Sequence, residues 1–515
     1  MKKESRIRKT VLNARVNLIF YCLTLALSFF SRKIFLNILG TDFVGLTGTL
    51  QSLLNFLNIA ELGIGTAVGY TLYKPLFEQN QHQINEIISV FGYMYRLIGK
   101  IILLSGVILS LFLPLIFPKS SFNLSIIFLA YYAFLTSSLI GYFINYKQTL
   151  LSADQRNYVV TAYLQTANII KTIVQIISAY YTQSYYLWII IEFTFAIIHS
   201  IILNWKINQV YPWLKSEVSN GKNLLKKYPD VIRLSKQVFV HKIGGIAQFQ
   251  MTPILIYAFV SLKTVALYGN YGMISDKLNA LLNSLLNSTA AGIGSLIAEG
   301  NKDKILRIYW ELMAVRFFFA GLFVFSMYYL LPTFITLWLG NSYLLSNKVF
   351  ICILCIFLLG IVRGTTEQFV AGYGLYHDTW APIAETIIYI FVALLGGYFS
   401  GLNGILFGNI VSLLVIIYGW KPYLLFKEGF GLPIKVYWIG FLQNIFILVL
   451  SFTIFYFIHS YIYKENNCNN WPTFIGYCIY IGLSIALILF FMMYIGTRGM
   501  RNFMKRFNIF SKKCI

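Results

Sequence analysis

Charged side chains stand where the surrounding sequence is apolar, and their types suit ion handling better than bond chemistry. Arg32 and Lys33 follow a long apolar run, Lys171 lies well inside another, and Glu192 and His199 lie inside a third. Arg363 and Glu367 are four residues apart, the spacing at which two side chains meet on one helix face. A charge at the centre of a membrane helix costs ~2.5–3.5 kcal/mol on insertion scales, so each such residue needs a reason. Cations in these positions suit an anionic ligand by charge. Arg32, Lys33, Lys171 and Arg363 are therefore the expected binding cations, Arg32 and Lys171 above all, since neither has an obvious partner on its own helix. Glu61, Asp276, Glu367 and Glu385 are the expected carriers of a coupling ion. Arg96, Lys100, Lys242 and Arg316 lie nearer the ends of their runs, where long side chains snorkel to the headgroups. His199 reads as a packed core residue.

Two helices carry polar stripes. Gln51, Asn55, Asn58 and Glu61 fall at helical spacing within one face, and so do Asp276, Asn279, Asn283 and Asn287. Interhelical hydrogen bonding accounts for some such residues in membranes. Four amides and acids in a row exceed what packing needs, so the stripes are expected to line a wet cavity.

Motifs for catalysis are absent. No phosphate-binding loop, nucleophile elbow, zinc-ligand helix or paired-carboxylate arrangement occurs, so no enzyme, metal or cofactor is expected. Gly63, Gly65 and Gly69 give a glycine-rich helix with no strand before it. Cys352 and Cys355 form a C-x-x-C, yet the setting "FICILCIFLL" makes them buried small hydrophobes.

The elements that position these residues follow from composition. The chain has 515 residues, 58% hydrophobic and 11% charged, with mean hydropathy +0.69, which excludes a water-soluble fold. About fourteen segments reach the ~20 apolar residues a spanning helix needs. They centre near residues 28, 60, 105, 135, 168, 195, 249, 283, 323, 360, 390, 410, 448 and 484. The net charge of +23 follows the positive-inside rule, because most of the 41 basic residues fall in short loops on one side. No soluble basic face exists for nucleic acid. A bacterial cytoplasmic membrane protein with both termini cytoplasmic is expected, its first helix retained rather than cleaved.

The spans suggest an internal duplication. "LQSLLNFL" at 50–57 followed by "GIGTA" at 63–67 matches "LNALLNSL" at 278–285 followed by "GIGSL" at 292–296. The expected architecture is an all-α integral membrane protein with two six-helix lobes, at 1–207 and 237–420. A basic cytoplasmic linker at 208–236 would join them about a pseudo-two-fold along the membrane normal. Residues 421–515 would add two further helices and a basic tail.

At this level the chain resembles a known family. "ILGTDFVGLTGTLQSLLNFLNIAELGIGTAVGYTLYKPL" (38–75) resembles the start of bacterial polysaccharide and O-antigen flippases of the multidrug/oligosaccharidyl-lipid/polysaccharide exporter superfamily. "NYKQTLLSADQRNYV" (145–159), "SLKTVALYGNY" (261–271), "FITLWLG" (334–340) and "GLNGILFGNIVS" (401–412) continue it in order. After "AGYGLYHDTWAPIAE" the family leads one to expect an amide-bearing helix start. Here the chain reads "AETIIYI", which shifts the polar role from Tyr389 to Glu385. The resemblance implies alternating access that moves an undecaprenyl-pyrophosphate-linked glycan between leaflets, beside polysaccharide polymerase or ligase machinery. The binding cations would then attract the pyrophosphate, and the asparagine stripes the sugar hydroxyls. Two alternatives stand beside it. A cation or drug exporter of the same superfamily would carry an acidic excess, where this chain has a basic one. A membrane polymerase or ligase would need a large outer loop, and none is present.

Overall fold

The computed structural model describes residues 6–61, 64–118, 120–286, 289–462 and 470–511, and among these there are only helices, turns and loops. Among the described residues, nine helical segments are long and apolar enough on composition to cross a membrane. One of them, 380–430, is two passages. Gly401 leaves helical geometry at φ 55° and ψ −132°, and the chain doubles back so that Gly396 and Gly404 meet backbone to backbone. Only glycine tolerates that conformation cheaply, and only missing side chains let two helices approach so closely.

Four more passages are helical but lie outside those nine, being broken into shorter helices or richer in polar residues. These are Thr41–Leu57 with Ile64–Glu78, Asn157–Thr182, Pro229–Phe259, and Leu262–Leu286 with Ala290–Ala298. They carry both asparagine stripes and Lys171. A polar helix survives in a membrane when neighbours supply its partners. With the hairpin counted twice, the passages number fourteen among the described residues, and the all-α membrane fold agrees with the sequence reading.

By packing, the chain divides between Ala266 and Leu267. In the first unit, Arg6–Ile38 lies against Asn157–Thr182, which packs on Tyr185–Val210. Gln81–Leu111 packs on Leu124–Phe143, and Pro229–Phe259 lies along both halves of the second passage. The segment 208–236, expected to separate two lobes, is fastened to the start of Gln81–Leu111. Lys215 N donates to Asn85 Oδ1 at 3.0 Å and Glu217 N to Ser89 Oγ at 2.8 Å. Lys227 Nζ sits 2.7 Å from Glu86 Oε2, and the Tyr228 hydroxyl donates to the same oxygen at 2.6 Å. The helix Pro229–Phe259, expected to begin the second lobe, therefore packs with the first unit.

In the second unit the 37-residue helix Lys302–Trp338 is central. Ile434–Ile462, Trp471–Gly496 and the short basic helix Arg498–Ser511 all pack on it. Arg506 Nη2 reaches Glu311 Oε2 at 2.8 Å, and the His459 ring and Tyr477 hydroxyl join the last two passages at 3.0 Å. The two additional helices are thus built into the second unit.

Candidate functional site

The duplicated motif carries a duplicated interruption. Helix Thr41–Leu57 gives way to a 3-10 turn at Asn58–Glu61, and past helix Leu262–Leu286 the described chain resumes in 3-10 geometry at Thr289 before Ala290–Ala298, close to the equivalent place. Interrupted spans at corresponding positions of two repeats free backbone groups and polar side chains for binding, and mark where a transporter holds its ligand.

In the first unit the break is held by side chains from two other helices. The Tyr142 hydroxyl donates to Glu61 Oε2 at 2.8 Å, and Tyr95 donates to Oε1. Ser138 Oγ donates to Asn58 Oδ1 at 3.1 Å. Tyr95 and Tyr142 are themselves buried and their rings lie 5.4 Å apart. Two phenols donating to one carboxylate hold it between helices, and each oxygen keeps a further lone pair for a donor or a small cation. Gln51 and Asn55, higher on the same stripe, are exposed.

The cations of this unit differ in how far they are engaged. Lys171 Nζ lies 2.6 Å from Glu192 Oε1, and Gln175 Nε2 donates to Glu192 Oε2 at 3.0 Å. Its partner is on the next helix, not its own. Arg32 is half-buried and donates to the Ala266 carbonyl at 3.0 Å. Lys33 is exposed and makes no hydrogen bond or ion pair among the described residues. His199 keeps its Nε2 buried without a hydrogen-bond partner among the described residues. Arg96 and Lys100 are exposed, as snorkelling requires. The side chain of Lys242 lies outside the described residues.

In the second unit the corresponding break is read by Gln368. Its Nε2 donates to the Leu286 carbonyl at 3.3 Å, and its Oε1 accepts from Thr289 Oγ1 at 3.3 Å. Thr289 also caps Leu286 O at 2.8 Å. Asn283 Nδ2 donates to Asn279 Oδ1 at 2.9 Å within the stripe, Asp276 is exposed, and Asn287 lies outside the described residues. Gln368 follows Glu367, whose Oε1 is 3.5 Å from Arg363 Nε. Arg363 stands at the junction of Asn347–Val362 and Gly364–Gly372, where its backbone keeps helical geometry. Glu385 is buried, and with Glu367 lies within electrostatic reach of Arg363.

Arg316 departs from its sequence reading. It is 2% exposed, and its Nη1 donates to the Ile361 carbonyl at 3.1 Å. Its guanidinium occupies the space a side chain at Gly364 would fill. A snorkelling cation needs a path to headgroups. The Ile361 carbonyl and the bare Gly364 beside it give Arg316 a partner inside. Tyr418, fully packed here, donates to Leu359 O at 2.6 Å near the same junction.

Sequence reasoning missed Tyr95, Tyr142, Gln368 and Arg316, whose roles lie in contacts between helices. Elsewhere, Cys352 is not bonded to Cys355, and its thiol reaches Asn403 Oδ1 at 3.2 Å.

The fold has solved counterparts. The lipid II flippase MurJ, in an inward closed conformation, matches with TM-score 0.63 at 14% identity, over 94% of this chain and 99% of that one. A multidrug resistance MATE family transporter of the MOP superfamily, inward-facing, matches with TM-score 0.60 at 12% identity, over 81% and 99%. The sequence matches no family model and no curated protein. The chain is a multi-pass membrane protein with the fold of the MOP transporters.

Proposed function

We propose that the protein is a flippase for a lipid-linked oligosaccharide of the undecaprenyl-pyrophosphate kind, resident in a bacterial cytoplasmic membrane and working by alternating access. The observation that carries this reading is the extent of the structural match. The flippase structure accounts for nearly all of both chains, whereas the drug-transporter structure leaves about a fifth of this chain unmatched.

The side chains fit the cargo. A lipid tail can remain in the bilayer while its pyrophosphate and sugars cross, so the protein needs cations and hydroxyl partners but no soluble domain. Arg32 and Lys33 are the pair we assign to the pyrophosphate, because Lys171 and Arg363 already face Glu192 and Glu367. Gln51 and Asn55, exposed on the broken second passage, and the Asn279–Asn283 pair would meet sugar hydroxyls. Glu61, with a phenol on each oxygen, is our first assignment for the coupling ion, ahead of Asp276, Glu367 and Glu385. Polymerase or ligase partners would receive the flipped product.

One observation favours a second reading, export of a cationic drug. The drug-transporter structure matches with nearly the same TM-score, and Glu61 and Glu385 are intramembrane acids. Reconstitution separates the two. A flippase moves labelled undecaprenyl-pyrophosphate oligosaccharide between leaflets, while an exporter moves a fluorescent cation such as ethidium and leaves the lipid in place.

A further inference from the structure

The first unit carries an open cleft of 420 Å³ whose lining includes none of the basic residues. It is formed where the first, third and fifth passages end, by Thr41 and Asp42, by Ser121, Phe122 and Asn123, and by Tyr185. Passages of odd number finish on one side, so this is the face opposite the N-terminus and the 208–236 segment.

Its polar groups are unspent. Thr41, Asp42, Ser121, Asn123 and the Tyr185 hydroxyl make no hydrogen bond through their side chains among the described residues. Capping does not explain them, since neither Gly40 nor Asn123 caps its helix through a side chain. Beside them stands a rigid aromatic wall. Tyr185 stacks on Phe43 with centroids 4.7 Å apart and planes at 30°, and Phe122 meets Tyr185 edge-on at 5.2 Å. Phe43 is 1% exposed and backed edge-on by Trp188 at 5.4 Å. The wall is therefore fixed before any ligand arrives.

An apolar wall beside an isolated carboxylate, an amide and hydroxyls selects one ligand chemistry. A sugar ring has an apolar C–H face for the tyrosine and an edge of hydroxyls that both donate and accept. One carboxylate is a poor cage for a divalent cation, and the lining contains no cation for an anion. The volume falls within the ~300–1,000 Å³ usual for small-ligand sites.

We propose that this cleft is a carbohydrate site on the outer face, holding one sugar of the cargo after it has crossed. The inference rests on the flippase reading for the source of that sugar. Asp42 and Asn123 take the ring hydroxyls, and Tyr185 with Phe122 takes its C–H face. A site here would bias the glycan against return.

The full chain in nanodiscs is applied to a printed array of bacterial surface oligosaccharides, and the best-retained glycan is titrated as a soluble fluorescent conjugate. Asp42→Ala and Tyr185→Leu are each expected to weaken its binding about tenfold or more, the scale of one lost anchoring contact. Tyr185→Phe, which keeps the stack on Phe43, should lose less. Ser125→Ala, on the same face but paired with Tyr186, should bind as the parent does. Melting curves matching the parent's show that the variants are folded. Retention of no glycan by the parent, or equal binding by the folded Asp42→Ala and Tyr185→Leu variants, overturns the cleft assignment. Transport of lipid-linked glycan without array binding also overturns the cleft, and leaves the flippase reading standing. Binding lost in Asp42→Ala from a chain that flips no lipid supports the cleft and sinks the flippase reading instead.

Discussion

The Tyr142 hydroxyl donates to Glu61 at 2.8 Å, joining the broken second passage to the fourth, while Tyr95 of the third passage takes the other carboxylate oxygen. Three helices therefore meet on one acid. A change in the charge of Glu61 alters the hydrogen bonds of all three together, which is how ion binding can be tied to helix movement.

Glu61→Gln keeps the shape and removes the charge. If Glu61 holds the coupling ion, the variant loses acceleration by an imposed proton or sodium gradient but still exchanges lipid slowly without one. Tyr142→Phe should slow gradient-driven flipping several-fold and keep its ion dependence. Initial rates with and without each gradient decide it. Parent-like acceleration in Glu61→Gln removes the assignment.

Lys171 and Glu192 form an ion pair between adjacent helices in apolar surroundings. Removing one partner strands the other, at a cost of about 1–3 kcal/mol, whereas removing both costs less than the two single losses added. Melting of Lys171→Ala, Glu192→Ala and the double variant in detergent tests this. Strict additivity would show that the pair does not interact.

Gly364 leaves room for the Arg316 guanidinium. Gly364→Ala should destabilise by roughly 1–3 kcal/mol through overpacking. In an Arg316→Ala background the same change should add little, because nothing remains to collide with. Equal penalties in both backgrounds would place the strain elsewhere.

Gly401 turns the 380–430 hairpin at positive φ. Gly401→Ala is expected to cost roughly 1–3 kcal/mol and lower membrane abundance. Gly419→Ala, away from the turn, serves as the reference. Comparable abundance of the two would mean that the turn tolerates a side chain.

Much of this fold is written in apolar run lengths. The hairpin was legible as two spans centred near 390 and 410, separated by "GGYFSGLNG". The repeat was legible in "LQSLLNFL" and "LNALLNSL", and its interruptions fall where the repeats do. Partners on other helices were not legible. Sequence spacing reports neighbours at three and four residues on one helix, so it finds Glu367 beside Arg363 and misses Glu192 beside Lys171. For the same reason Arg316 read as a snorkelling cation. The carbonyl of Ile361 that receives it belongs to a neighbouring passage, which spacing along its own helix does not report.

The most direct test is leaflet protection in proteoliposomes. Labelled undecaprenyl-pyrophosphate oligosaccharide is placed in the inner leaflet, an ion gradient is imposed, and access to an external glycosidase is followed. A flippase exposes the label at a rate that depends on the protein. In the chain carrying Arg32→Ala with Lys33→Ala that rate falls about tenfold or more, while Arg96→Ala, an exposed cation, changes it little. A label that stays protected under both proton and sodium gradients contradicts the lipid-linked cargo, and equal rates in all three chains contradict the cation site.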